Sequence, residues 1–130
     1  MKVLVCGGRD YDSNKACAWL QEHAIRRIES VMRLKDVRIA AVIHGAARGA
    51  DEGGRLWGVS LGTDVLGFPA DWETHGRAAG PIRNQQMIEL GKPDLVIAFP
   101  GGRGTANMVR QAEAACIPVI RVEDTAEGQT

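Results

Sequence analysis

A chain of 130 residues with 16 Lys+Arg against 16 Asp+Glu is sized for one domain with one buried core. Balanced charge gives no electrostatic case for duplex nucleic acid or a membrane surface, and no apolar run approaches the ~18 residues of a membrane helix. Glycine, at 16 residues, exceeds its usual ~7% share, and the excess falls at the ends of apolar runs.

In chain order, Val3 to Cys6 predicts a first strand. It meets the pair Gly7-Gly8 too soon for a signal peptide. Asp12 or Ser13 is suited to cap a helix with the inward stripe Ala16, Leu20, Ala24, Ile28 and Val31. Ile39 to Ile43 is a second strand, followed near Asp51 by a helix with Ala50, Trp57 and Leu61 on one face. Asp64 to Phe68 is a third strand, and Pro69 to Gly80 the one long irregular loop. Pro81 to Leu90 predicts a helix with proline in its first turn. Leu95 to Phe99 is a fourth strand, Thr105 to Cys116 a helix with Val109, Ala112 and Cys116 inward, and Ile117 to Val122 a fifth strand. The folded unit is expected to span 1–122, with 123–130 a polar tail. Cys6, Cys17 and Cys116 form no C-x-x-C pair and are odd in number, so reduced, buried thiols and a cytoplasmic location are expected.

Strands alternating with helices, the strands continuously apolar, imply an α/β fold: one doubly wound, Rossmann-like three-layer sandwich around a mostly parallel sheet of about five strands. Ligands of such sheets bind beyond the carboxyl ends of the strands, where strand order reverses. Three glycine turns fall there, each carrying an arginine: Gly7-Gly8-Arg9, Gly45-Ala46-Ala47-Arg48-Gly49 and Gly101-Gly102-Arg103-Gly104. Turns of this kind present backbone N–H groups and the positive ends of helices to anions. Together they point to one composite site for a phosphorylated small molecule. The P-loop G-x-x-x-x-G-K-S/T, a G-x-G-x-x-G after the first strand, H-E-x-x-H, G-x-S-x-G and Cys/His metal spacings are all missing from the sequence. No metal and no cofactor is therefore expected.

The ordered motifs Gly7-Gly8-Arg9-Asp10, His44 to Asp51, Gly80-Pro81-Ile82-Arg83-Asn84 and Pro100 to Thr105 resemble the SLOG superfamily. More narrowly, the chain from about Lys2 to Val122 looks like the YspA branch, related to YpsA. That superfamily also holds the Lonely Guy phosphoribohydrolases and the DNA-processing DprA proteins, and its proposed theme is binding, sensing or cleaving nucleotide-derived molecules. Lonely Guy enzymes carry a P-G-G-x-G-T turn, a catalytic glutamate two residues on, and an arginine on the preceding helix. Pro100 to Thr105 matches the turn and Arg83 the arginine, but the glutamate position holds Asn107. Glycosidic cleavage needs a proton donor or a carboxylate beside a cationic sugar, and an amide is neither.

The candidate phosphate-binding residues are Gly7, Gly8, Arg9, Gly45, Arg48, Asp51, Arg83, Asn84, Gly101, Gly102, Arg103, Gly104 and Thr105. Arginine suits phosphate because its planar fork binds it bidentately; the plain alternative is a solvated surface charge, and in one geometry Arg103 points outward. Thr105 is either an N-cap or an oxyanion contact, or both. Asp51 either caps its helix, holds a ribose hydroxyl, or orients Arg9 or Arg48. His44 reads as a satisfied structural histidine. Tyr11 and Trp72 either stack on a base or pack on the domain. Asp10, Asp51, Glu73 and His75 are the weak candidates for a missing acid or base.

The leading expectation is a module that binds a nucleotide-derived phosphorylated molecule, as sensor or sequestering protein. One alternative is a nucleoside 5'-monophosphate phosphoribohydrolase; another is a DprA-like DNA-associated protein, disfavoured by neutral charge and by finding no aromatic–basic stripe. No membrane partner and no nucleic acid is expected. The likeness to Lonely Guy proteins implies a homodimer or higher homo-oligomer.

Overall fold

The computed structural model describes residues 1–123; beyond Glu123, the expected polar tail lies outside the described residues. Five strands, β1 (Lys2–Cys6), β2 (Ala41–His44), β3 (Asp64–Gly67), β4 (Leu95–Ala98) and β5 (Val119–Arg121), form one parallel sheet in the order β3-β2-β1-β4-β5. The register pairs Val3 with Val42 on one side and with Leu95 on the other. All five carboxyl ends therefore lie along one edge, and strand order reverses between β1 and β4. This is the α/β architecture that alternating strands and helices predict.

Alternation along β1 divides the core in two. Val3 and Val5 face a layer containing Ala16, Leu20, Ala24, Ile28 and Trp57. Leu4 and Cys6 face Met87, Met108, Val109 and Ala112. The first layer comprises α1 (Ser13–Trp19), a π-helical turn Leu20–Ala24, α2 (Ile25–Met32) and α3 (Ala50–Leu61). A short helix α4 (Trp72–His75) precedes the second layer, which comprises α5 (Ala79–Gln86), running into a π-helical turn Met87–Gly91, and α6 (Arg103–Ala114). Asp12 caps α1, accepting from the Lys15 N–H at 2.9 Å. Among the described residues no helix is long and apolar enough to cross a membrane.

The π-helical turn explains both the success and the limit of the first helical stripe. A strict spacing of four drifts by about 40° per step on a 3.6-residue helix, and a wider turn absorbs that drift. Ala16, Leu20, Ala24 and Ile28 are all buried as a result, whereas Val31, three residues on, is 50% exposed. Helix α3 buries a face of small residues around Trp57, and Leu61 in its final turn is exposed. Cys116 is exposed too: α6 ends at Ala114, and the chain turns into β5 through Cys116 at φ 60°. Cys17 is half-buried, so only Cys6 of the three is a core thiol.

The segment 69–80 is largely ordered. Asp71 accepts from the Thr74 N–H at 3.1 Å and caps α4, after which a 3-10 turn Gly76–Ala78 leads into α5. Helix α5 thus begins two residues before Pro81. Its exit places Leu90 at 70% exposure, and Lys92 ends it in the left-handed region.

Candidate functional site

The glycine turns first serve to pack the strand ends together. The Gly8 N–H donates to Pro100 O at 2.9 Å, and Gly8 O accepts from the Ala50 N–H at 3.1 Å. The β1 turn is thereby clasped between the turns after β2 and β4. Gly49 sits at φ 79°, and a Cβ there would collide with Gly8 O. A Cβ on Gly101 would stand 2.7 Å from the Gly8 nitrogen. The Gly8 amide is therefore committed to the protein.

The free donors are at α6. Gly102 occupies its N-cap position without a side-chain cap, and the first helical bond runs from the Ala106 N–H to Gly102 O at 3.0 Å. The N–H groups of Arg103, Gly104 and Thr105 accordingly have no intrahelical acceptor, and the positive end of the helix dipole lies at the same place. Thr105 is the third helical residue and not the N-cap.

Above the β1/β4 switch point lies a cavity of about 360 Å³. Cys6, Met87 and Met108 give it an apolar lining, Gly102, Gly104 and Thr105 the helix terminus, and Arg9, Arg83 and Asp51 its charges. Burial pushes the Cys6 thiol up, so it is a neutral, apolar surface at ordinary pH. Arg83 is held by its surroundings: Nη1 donates to Gly45 O, and Nε donates to Asn84 Oδ1 at 3.0 Å. Burial lowers its pKa and Asp51 opposes this, and a guanidinium stays charged at neutral pH. Asn84, buried, donates in turn to Gly104 O at 3.3 Å and to Asn107 Oδ1 at 3.0 Å. The same Asn107 oxygen accepts from Gln111 Nε2 at 2.8 Å.

Asp51 performs a loop function. Its Oδ2 accepts from the Gly45 N–H at 2.8 Å, and the Ala47 N–H also bonds to it. Burial raises its pKa to about 6, against the lowering effects of those amides, Arg83 and Arg9. The carboxylate thus gathers the β2 turn beneath Arg83 and does not cap α3.

Other candidates fall outside this cavity. Arg48 pairs with Asp10 at 3.2 Å, and both side chains are well exposed; Arg48 lines a neighbouring hollow of about 310 Å³ together with Gly45, Pro69 and Ala70. Arg9, Trp72 and Arg83 border both spaces, with the Arg9 guanidinium 5.3 Å from the Trp72 ring centroid. Gly101 and Arg103 do not line the main cavity, and Arg103 is exposed. Tyr11 packs on Phe99 with centroids 5.2 Å apart, covering core. His44 is buried, accepts the Ala46 N–H on Nδ1 at 3.0 Å, and has its pKa lowered by burial. Of the acid–base candidates, Asp51 lines the cavity and Asp10, Glu73 and His75 do not.

Sequence reasoning missed Cys6, Met87 and Met108 as cavity lining and Asn107 as the acceptor that anchors Asn84. A signal existed for the methionines. Met87 lies four residues after Arg83, and Met108 lies four after Gly104, each one helical turn behind a residue already assigned to the site.

The chain has relatives among known proteins. The family described as YspA, cpYpsA-related SLOG matches residues 1–75, a span that contains Arg9, Asp51 and Trp72 but ends before Arg83 and the α6 turn. A relative, the Gene 61 protein of Mycobacterium phage D29, is 41% identical over 90 residues, covering 64% of this chain and 71% of that protein.

Proposed function

Because the chain belongs to the YspA, cpYpsA-related SLOG family, whose membership suggests a nucleotide-related function, we propose that it binds a phosphorylated nucleotide-derived small molecule without cleaving it. The observation that carries this reading is the pairing, in one cavity, of Arg9 and Arg83 with the uncapped terminus of α6 beside an apolar wall of Met87 and Met108. Two guanidinium groups and the Gly104 and Thr105 amides, which have no intrahelical acceptor, suit a phosphate. The apolar wall suits a base or sugar face, as in ligand pockets generally. Phosphate sits at the glycine end, with Trp72 in the lining beside Arg9.

Absence of cleavage is supported by Asn107. The residue standing where Lonely Guy enzymes have their glutamate is an amide whose oxygen already accepts two hydrogen bonds. A sensor or sequestering role follows from binding without turnover. Calorimetry with adenosine 5'-monophosphate and adenosine tests it: the nucleotide binds and the nucleoside binds at least tenfold more weakly. Equal affinity removes the phosphate site from the reading. At a concentration 100 times Kd, the nucleotide stabilises the fold by ~2.7 kcal/mol.

One observation favours a second reading, a nucleotide N-glycosidase. Asp51 lines the cavity with a pKa of about 6, and acids perturbed by burial in clefts are recurrent catalytic groups. Release of free base on incubation with nucleoside monophosphates, lost in Asp51→Asn, selects that reading over pure binding.

A further inference from the structure

A separate groove lies farther along the same strand-end edge, between the α1–α2 rod and the carboxyl end of β5. Its cavity of about 460 Å³ is lined by Tyr11, Lys15, Trp19, His23 and Arg27 on one wall and by Arg121 to Glu123 on the other. The first five residues recur at intervals of four, one position ahead of the buried stripe Ala16, Leu20, Ala24 and Ile28. The π-helical turn that keeps that stripe inward keeps this one in line as well. Aromatic and basic side chains therefore share one line that starts at Tyr11 and runs along the helix. The Lys15 ammonium lies 5.4 Å from the Tyr11 ring centroid, and the Arg27 guanidinium 5.8 Å from that of Trp19. Trp19 itself is fixed edge-on against Phe99 at 5.7 Å, and its ring lies 5.5 Å from that of His23.

We propose that this groove binds a single strand of nucleic acid, its phosphates on Lys15, Arg27 and Arg121 and its bases against the aromatic side chains between them. Three features carry the inference. Two of the three cations, Lys15 and Arg27, are held at the groove by ring contacts, which restricts the side-chain freedom they would otherwise lose on binding. Lys15 and Arg27 stand twelve residues apart, about 18 Å along the helix axis, longer than one nucleotide and suited to several units of a polyanion. Rings set among cations are what single-strand sites use, since every base has a face to stack. Balanced net charge does not oppose it, because the ionic contribution depends on phosphates contacted locally. Glu123 in the lining and Glu113, 3.9 Å from Arg121, moderate the affinity. The groove and the nucleotide-derived ligand's cavity share no lining residue, so the two proposals stand separately.

Fluorescence anisotropy of a labelled deoxythymidine oligomer of about 16 nucleotides tests the groove, with salt varied. Three phosphate contacts predict a slope of log K against log salt of about −2. The Arg27→Glu and Lys15→Glu variants, both on exposed positions that leave the core intact, each weaken binding at least tenfold. Thermal unfolding confirms that they stay folded, and thymidine 5'-monophosphate does not compete at concentrations a hundredfold above the oligomer's. Three results each overturn the proposal: no binding at low salt, binding unchanged in both charge reversals, or competition by the mononucleotide on equal terms. The last would reduce the groove to a site for a single nucleotide.

Discussion

Asn84 on α5 donates its side-chain amide to Oδ1 of Asn107 on α6 at 3.0 Å, while its own oxygen accepts from Arg83 Nε at 3.0 Å. A relay of amides thus joins the two helices and ends on the guanidinium that faces the cavity. Asn107→Ala removes one of the two acceptors of Asn84 and one of the two of Gln111, leaving Gly104 O and Pro81 O. Leaving a buried amide N–H unsatisfied costs about 1–3 kcal/mol, and urea unfolding is expected to show a loss in that range. Nucleotide affinity should fall with it because Asn84, which accepts from Arg83 Nε, loses one of the two bonds that orient it. A variant as stable as the parent would mean the relay contributes nothing to the fold.

Arg9 and Arg83 are expected to behave differently. Arg9 is exposed and meets the Trp72 ring, so Arg9→Ala should leave stability within about 0.5 kcal/mol, as surface changes do. It should still weaken nucleoside monophosphate by about 1–3 kcal/mol, through a lost charge-assisted contact. Arg83→Ala also frees Gly45 O and Asn84 Oδ1. It should lower both stability and phosphate affinity, and calorimetry beside a melting curve separates the two patterns.

The difference between these arginines shows what is legible in the sequence. Strand ends, the rim and the switch point follow from apolar runs and glycine spacing, because backbone geometry dictates them. The partners of each side chain do not. Arg48 and Arg9 look alike in sequence, yet Asp10 draws Arg48 outward while Trp72 lies beside Arg9. The Gly8 amide reads as open to a ligand and is consumed by Pro100, far away in the chain. Segment 69–80 reads as irregular because a four-residue helix has too little periodicity to register. Cys116 reads as buried because nothing local announces its left-handed turn. The aromatic–basic stripe, expected to be missing, is present at i, i+4 spacing. It stands one position ahead of the inward stripe, whose apolar periodicity dominates the segment, and only the fold brings β5 alongside it.

Asp51 gives a pH dependence of defined sign. Its folded pKa, about 6, lies above its ordinary 3.8. Between those values the folded protein holds a proton that the unfolded chain has released, so this group's contribution falls as pH rises from about 4 to 6 and the penalty persists at pH 7. Each tenfold change in proton affinity is worth about 1.4 kcal/mol. His44 acts oppositely: burial keeps it neutral, so stability is lost as pH falls through its ordinary 6.5. Asp51→Asn should abolish the first component and leave the second, which denaturant titrations at about pH 4, 5, 6 and 7 resolve. Identical pH profiles for parent and variant would mean that Asp51 does not titrate in this window.

Gly101→Ala tests the clasp between the β1 and β4 turns. The added methyl would stand 2.7 Å from the Gly8 nitrogen and against the Thr105 hydroxyl, with backbone on one side unable to move cheaply. Overpacking of this kind costs roughly 1–3 kcal/mol. Gly104→Ala, where a Cβ meets open space, should be neutral or slightly stabilising within the helix. Comparable melting temperatures for the two variants would argue against a close contact between the turns.

The last prediction concerns chemistry. Base release from a nucleoside monophosphate requires charge stabilisation and proton transfer, and general acid–base groups alone supply ~10²–10⁴ in rate. The carboxylate lining the cavity, Asp51, is engaged by the Gly45 and Ala47 amides, and the Asn107 amide has neither proton to give nor charge. The protein should therefore hold adenosine 5'-monophosphate through many half-lives of its complex without forming adenine, as chromatography of the mixture would show. Asn107→Glu keeps an acceptor for Asn84 and Gln111 and introduces a carboxylate in the second turn of the helix whose N-terminus is read as binding phosphate. Its expected result is a folded protein with weaker nucleotide binding, from repulsion between like charges, and adenine release above that of the parent. Rapid release by the parent would instead make Asp51 the residue to replace first, and the binding-only reading would fall.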